Sequence, residues 1–323
     1  MTECYCEAAF LSKFLDERSK CIYNDDEITL WCNFKSLFFK HISAVDNISD
    51  IDELFKGDKE KLTLWQKKRY SEEGIKEKQI DDFNFATINP HTVFLLSNTQ
   101  KCKQLEEEYG MLFISNETKK ENAEILFGYE QSAISVIPNG NYSNYLFLSS
   151  FQHPCNAIIV NDAYLLSEKD KTYDDNLIAI LDLLLPKKLN KTIFQLLILS
   201  GDGVKNIDVN HKYSLIKSRI DKLRTYKIEL KIITKKAHHN RDIITNYLRI
   251  NAKHKFTLFI EKKAATSDDL TVHNFIGKGS EMAVVKDRKE DYKKIEKDTQ
   301  NIGTQIVVMP KEQNGIISNR LLQ

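Results

Sequence analysis

The stretch KKAHHNRDIITNY, residues 235–247, sets two lysines, two adjacent histidines and an arginine directly ahead of an alternating apolar segment. A loop that merely joins two elements is served by Gly, Asn or Asp, whose backbones turn readily. Lys235, Lys236, His238, His239 and Arg241 are instead nitrogen donors suited to a phosphate oxygen at the mouth of a strand. Working upstream, KIELKIIT (227–234), TIFQLLILS (192–200) and NAIIVND (156–162) read as buried strands. Between them, KYSLIKSRIDKLRTY has a helical face at Leu215, Ile216, Ile220 and Leu223, and DDNLIAILDLLL (174–185) reads as a helix stopped by Pro186. Strand alternating with helix predicts an α/β unit with a parallel sheet. Downstream, RDIITNYLRI and KFTLFIEKK read as an antiparallel pair, followed by a charged helix (KDRKEDYKKIEKD) and a late strand (TQIVVM).

The first third of the chain repeats this grammar. CYCEAAFL offers a short strand running into a helix, residues 28–43 and 58–79 look helical, and HTVFLLS is a strand. KCKQLEEEYG is a helix that Gly110 closes, and MLFIS is the next strand. With only 11 Gly and 5 Pro in the chain, the cluster GYEQSAISVIPNGNYSNY (128–145) marks the main boundary. The expected fold class is α/β in two domains, residues 1–127 and 128–323, each a mostly parallel sheet with flanking helices. Limited proteolysis is expected to cut at 128–145 and leave two folded fragments.

At 323 residues and 41% hydrophobic content the chain can bury a sizeable core without staples. Its 47 basic and 46 acidic side chains nearly cancel, so any attraction to nucleic acid or anionic membrane must come from a local patch. Cysteines 4, 6, 21, 32, 102 and 155 form no CxxC pair, which argues against a zinc site and for free thiols. No signal peptide, transmembrane segment or disulfide framework is visible, so the expected setting is the reducing cytoplasm. Richness in Lys, Ile, Asn and Asp suggests an AT-rich bacterial genome. No cofactor is implied.

Read from His239, the opening stretch is His239, any residue, Arg241, four residues, Asn246. In spacing and in setting beyond a βαβ unit it resembles the His, any, Lys, four residues, Asp signature of the phospholipase D-like superfamily. That resemblance implies a phosphodiester nucleophile at His239, a phosphate clamp at Arg241 and architectural support at Asn246. Such sites pair two motifs and this chain has one, so hydrolysis would require a homodimer. The run HHNRDIITN is also similar to the noncatalytic branch of the superfamily found at the C-terminus of microtubule-interacting-and-transport proteins, which implies a binding surface. The plain alternative is that His238, His239 and Arg241 only finish strand ends.

Lys235, Lys236, His238, His239 and Arg241 make a basic cluster that Lys253, His254 and Lys255 extend. In the N-terminal half, Glu7 after the first strand and the order of strands resemble a PIN-like nuclease, whose carboxylates gather a divalent cation. Asn98 and Asn116 stand where carboxylates are expected, and Asp50, Asp52 and Glu53 are weak substitutes, so the expectation is a degenerate domain with no metal site. SGDG (200–203) lacks a P-loop's Gly-Lys-Ser/Thr ending and reads as a turn. The expected function is nucleic-acid or phosphodiester binding, in bacterial defence or nucleic-acid processing. The alternatives are a noncatalytic adaptor for a protein or lipid headgroup, and a phospholipase D-like nuclease acting as a homodimer.

Overall fold

The computed structural model describes residues 3–17, 32–33, 42–45, 53, 55–59, 63, 76–77, 79–122, 132–138, 140, 142–201, 208–235, 241–275, 279–299, 307–310 and 319–322. Two sheets divide the chain. The first contains β1 (Cys4–Cys6), β2 (Ile42–Val45), β3 (Lys76–Glu77), β4 (Val93–Leu95) and β5 (Leu112–Ile114), in the order β3-β2-β1-β4-β5. Every neighbouring pair in it is parallel, as the alternating grammar predicts. β2 and β3 take up residues 42–45 and 76–77, at the far ends of the helices expected over 28–43 and 58–79; most of both spans lies outside the described residues.

Helix α1 (Ala8–Asp16) follows β1, and α2 (Thr99–Tyr109) joins β4 to β5. Asn98 starts α2 by accepting a hydrogen bond from Lys101 N at 2.9 Å, and Gly110 ends it at φ 61°, ψ 37°. A methyl at Gly110 would lie 2.4 Å from the carbonyl oxygen of Cys155, which is backbone and cannot swing away. Gly110→Ala is therefore expected to cost about 2–4 kcal/mol, from the left-handed backbone and the clash together. A urea titration showing less than ~0.5 kcal/mol would mean that this approach relaxes freely.

The second sheet runs β15-β9-β8-β7-β10-β11-β14-β6. Its strands are β6 (Ser132–Val136), β7 (Ala157–Asn161), β8 (Phe194–Gly201), β9 (Ile228–Lys235), β10 (Asp242–Ile244), β11 (Leu248–Ala252), β14 (Asp268–Asn274) and β15 (Val307–Met309). A separate ribbon pairs β12 (Phe259–Ile260) with β13 (Lys263–Ala264). Helix α3 (Ala179–Leu184), entered through a π-helical turn at Asp174–Ile178, lies between β7 and β8 in the chain. Helix α4 (Val209–Ile220) lies between β8 and β9, and α5 (Gly279–Thr299) between β14 and β15.

This sheet corrects the expectation of a mostly parallel second half. Among the described residues β7-β8 and β8-β9 are parallel, and the other five pairings of this sheet are antiparallel. Parallel neighbours need a long crossover, and within this sheet α3 and α4 provide crossovers between parallel neighbours. RDIITNYLRI is itself a hairpin, β10 turning through Thr245, Asn246 and Tyr247 into β11, with Thr245 N donating to Leu248 O at 2.8 Å. KFTLFIEKK folds into the β12-β13 ribbon, where Glu261 and Lys262 take φ of 52° and 59° at the turn.

The described residues of 128–145 do not form a free linker either. They contribute β6, paired with β14, and Tyr145, fully buried with its hydroxyl donating to Phe256 O at 2.5 Å. The sheets divide there in sequence but share one core. Cys4, Phe10, Val93, Leu95 and Leu112 pack in the same cluster as Ala157, Ile159, Leu197, Ile244 and Tyr247, with Val285, Tyr292 and Ile295 of α5. A cut at 128–145 is thus expected to sever β6 rather than release two halves with closed cores. The C-terminal stretch closes the same joint. Asn319 Nδ2 donates to Ile158 O and Gln195 O, both at 3.3 Å, and Arg320 Nη2 donates to Phe85 O at 2.6 Å.

Helix α5 is held on the second sheet by buried charge as well as by apolar packing. Asp242 takes Arg249 Nη1 at 2.8 Å and Arg288 Nε at 3.3 Å, while Glu281 takes Arg249 Nη2 and His273 Nδ1, each at 3.3 Å. Paired this way, the charges keep the partners they need once removed from water. Among the described residues no helix is long and apolar enough to cross a membrane.

Candidate nucleic-acid interface

Parallel sheets place their loops at the carboxyl ends of the strands, most usefully where strand order reverses. In the first sheet that point lies between β1 and β4. There the Glu7 carboxylate accepts from Ser97 N at 2.6 Å and Ser97 Oγ at 2.7 Å, so one of its oxygens ties the two strand ends together. Asn98 is the helix cap, and Asn116 is buried with its amide donating to Phe10 O at 3.3 Å. Asn98 caps by accepting, as a carboxylate could, whereas Asn116 donates to a carbonyl, which an ionised carboxylate cannot do. Glu53 is exposed and pairs with Lys56 at 3.3 Å, while Asp50 and Asp52 lie outside the described residues. Among the described residues no group of three His, Cys, Asp or Glu side chains is placed to hold a metal ion.

In the second sheet, β7, β8 and β9 end at one edge, at Asn161, Gly201 and Lys235. Because β10 runs antiparallel to β7 with Asp242 opposite Asn161, its start returns to that same edge. Lys235 and Arg241, on either side of residues 236–240, therefore share one rim of the sheet. Lys236, His238 and His239 lie outside the described residues. Asn246 is brought to the far end of β10, about 16 Å from Arg241 at the ~3.3 Å rise of a strand. There its side chain is fully buried and hydrogen-bonded at both ends, so this amide is part of the frame and faces no solvent.

The rim is built with care around Arg241. Its guanidinium carbon stands 5.4 Å from the ring centre of Tyr164, which is 49% exposed. Tyr164 sits on a loop that is fastened at two points. Asp162 Oδ1 accepts from Tyr164 N at 2.9 Å, and Gly201 N donates to Ala163 O at 3.0 Å. A methyl at Gly201 would come within 2.7 Å of that oxygen, so glycine is what allows the loop to lie on the end of β8. Of the SGDG run, Ser200 Oγ accepts from Leu166 N at 3.2 Å, supporting the same loop, while Asp202 and Gly203 lie outside the described residues.

A second basic element adjoins. After β11 the chain turns through Lys253, His254 and Lys255, and two buried carboxylates hold three successive amides of this turn. Asp268 accepts from His254 N at 2.9 Å and Lys255 N at 2.8 Å, and Asp162 Oδ2 accepts from Phe256 N at 3.1 Å. Burial pushes the Asp162 carboxyl above the ordinary range, opposed by its Tyr164 and Phe256 amides and by the charge of Arg241. With the backbone occupied inward, the side chains of Lys253 and His254 stay exposed and that of Lys255 is half-buried. Arg241 Nη1 lies 3.5 Å from Lys253 O, which brings the two elements together. Asp269 lies 3.8 Å from Lys253 and offsets part of its charge.

The sequence pointed to Arg241 and to the Lys253–Lys255 turn, but not to Tyr164, Asp162 or Asp268. Asn161-Asp162 after an apolar run is a turn signal that marks the loop. Nothing local announces that Asp268 reaches back to the turn, because that contact is made across a strand pairing.

No protein-family model matches this chain, and no characterised protein matches it in sequence. Among solved structures it is similar to TrmBL2, an archaeal chromatin protein whose structure is described as showing a novel mode of DNA binding. Identity is 13%, the match covers 61% of this chain and 62% of that one, and the TM-score is 0.28. The chain thus spans less than two thirds of that structure, and so slight a likeness carries no argument about fold or ligand.

Proposed function

We propose that the carboxyl rim of β7, β8 and β9 binds single-stranded nucleic acid. The observation that carries this reading is the Arg241 guanidinium set beside the exposed ring of Tyr164, next to a basic turn whose backbone is locked from within. An aromatic face on a fixed loop accepts a base of any sequence, and adjacent cations follow the phosphate chain. A guanidinium also grips a phosphate with two parallel donors, which an ammonium cannot. The phospholipase D-like resemblance supports the same reading, since its motif runs from His239 through Arg241. Binding is proposed here, and hydrolysis is not.

The test is fluorescence anisotropy with a short labelled single strand across a range of salt. Tyr164→Ala is expected to weaken binding about tenfold, in line with ~1–3 kcal/mol per stacked base. Arg241→Ala should weaken it at every salt concentration and reduce the salt slope by about one. Arg241→Lys should lose part of the affinity while keeping that slope. Binding that ignores salt, or that both alanine variants leave intact, would favour an apolar docking surface and the adaptor reading.

A further inference from the structure

A cavity of about 190 Å³ lies between the loop that enters β4 and helix α5. Its polar lining is Asn89 and His91 from the loop, with Lys286, Lys289, Glu290 and Lys293 from the helix. Val285 and Met282 form its apolar wall. The three lysines stand three and four residues apart, so the helix presents them as one stripe along the cavity. Glu290 pairs with Lys293 at 3.2 Å, which leaves three positive charges facing one negative charge.

His91 settles how Lys289 is held. Its Nδ1 lies 2.6 Å from Asn246 O, and since a carbonyl only accepts, Nδ1 carries the proton. Nε2 is then an acceptor, 3.3 Å from Lys289 Nζ. A neutral histidine thus positions a half-buried ammonium without cancelling its charge. Burial and the neighbouring Lys293 push Lys289 down to about 8, while burial and Lys289 push His91 down to about 3. Like charges crowded into a half-buried space are unfavourable unless an anion joins them. A half-open space of about 190 Å³ is large enough to admit a phosphate group.

We propose that this cleft binds a tetrahedral dianion of the phosphate class, held by Lys286, Lys289 and Lys293 with the Asn89 amide. The site is separate from the Tyr164 rim, because His91 is bonded at Asn246, the opposite end of β10 from Arg241. It does not depend on the nucleic-acid reading.

The experiment uses the full chain, with sodium sulfate and inorganic phosphate as probes at constant ionic strength. Sulfate stabilises many proteins by exclusion, so the measured quantity is the saturable response lost on mutation. Isothermal titration at pH 8 in two buffers of different ionisation heat is expected to show millimolar or tighter binding. It should also show uptake of a fraction of a proton, as the dianion restores charge to Lys289. Sulfate does not titrate at this pH, so the proton must come onto the protein.

Lys289→Met is expected to abolish that uptake and weaken binding at least tenfold. Should it fold poorly, Lys286→Glu with Lys293→Glu, on the outer part of the stripe, is expected to abolish binding. A short strand with a 5′-phosphate, compared with its 5′-hydroxyl twin, identifies the source. Displacement of sulfate by the first alone makes the ligand a strand terminus, and displacement by inorganic phosphate alone makes it a free phosphate, both of which uphold the site. Absence of saturable heat with either probe, or equal responses in wild type and variants, would overturn it.

Discussion

Asn246→Ala is expected to lose about 3–5 kcal/mol of stability, a large fraction of what holds a chain of this kind folded. The Asn246 carboxamide joins three segments. Its oxygen accepts from Asn156 N at 3.0 Å and Ala157 N at 3.4 Å, and its nitrogen donates to Pro90 O at 2.7 Å and Asn156 Oδ1 at 3.0 Å. Alanine would leave those groups buried without it, at ~1–3 kcal/mol for each that finds no substitute. Asn246→Asp should be no milder, because it turns a carboxylate oxygen toward two acceptors. Urea denaturation followed by circular dichroism measures the effect. A fully stable Asn246→Ala variant that no longer binds nucleic acid would place Asn246 in the ligand site after all.

Acid should unfold the protein steeply, and two buried histidines are the reason. His153 donates from Nδ1 to Phe151 O at 2.7 Å, with Nε2 2.9 Å from Thr245 Oγ1, and burial pushes it down to about 4. His91, between Asn246 O and Lys289, is pushed down to about 3. Each is neutral in the folded chain, whereas in the unfolded chain it takes up a proton near pH 6.5. Between those values the unfolded state binds more protons. The stability due to the neutral rings is therefore complete above pH 6.5 and is lost as pH falls toward 4 and then 3. At ~1.4 kcal/mol per unit, the two contribute roughly 3 and 5 kcal/mol at full extent.

Glu106 acts in the other direction. Burial raises it to about 7, so its neutral form favours folding most below pH 4.5 and that contribution fades as pH rises through 7. For these three groups the fall on acidification should accordingly be gentle from pH 6.5 to 4.5, steepest between 4.5 and 4, and gentle again toward 3. His153→Gln is expected to flatten the difference in urea midpoint between pH 6.5 and 4. An unchanged pH profile in that variant would show that His153 is already protonated in the fold.

Much of the architecture was legible because apolar periodicity is a local signal. β7, β8, β9, α4, and α2 with its Gly110 cap stand where their patterns place them. The misreadings were non-local or lacked a breaker. The β10-β11 turn is made by Thr245, Asn246 and Tyr247, with neither Gly nor Pro, and its geometry comes from the Thr245 hydroxyl accepting from Leu248 N at 3.0 Å. The boundary at 128–145 looked like a linker because it holds Pro, Asn and Gly, yet alternation in SAISV was enough for an edge strand once β14 offered a partner. Of the site, the cations were visible as composition. Tyr164 was not, since an exposed tyrosine after a strand gains meaning only when Arg241 is brought beside it.

The stitch made by Asn319 and Arg320 has a bearing on how the protein is made. Strands β1 to β5 leave the ribosome long before the residues that fasten them to the second sheet. At ~5–20 residues per second, the interval from Ile114 to Asn319 is roughly ten to forty seconds. During it the first sheet carries an apolar face whose covering partners, from Ala157 to Leu321, arrive one after another, the last of them only at its end. The nascent chain is thus a client for any holding chaperone that recognises exposed aliphatic surface, and its yield should follow translation speed more closely than its final stability.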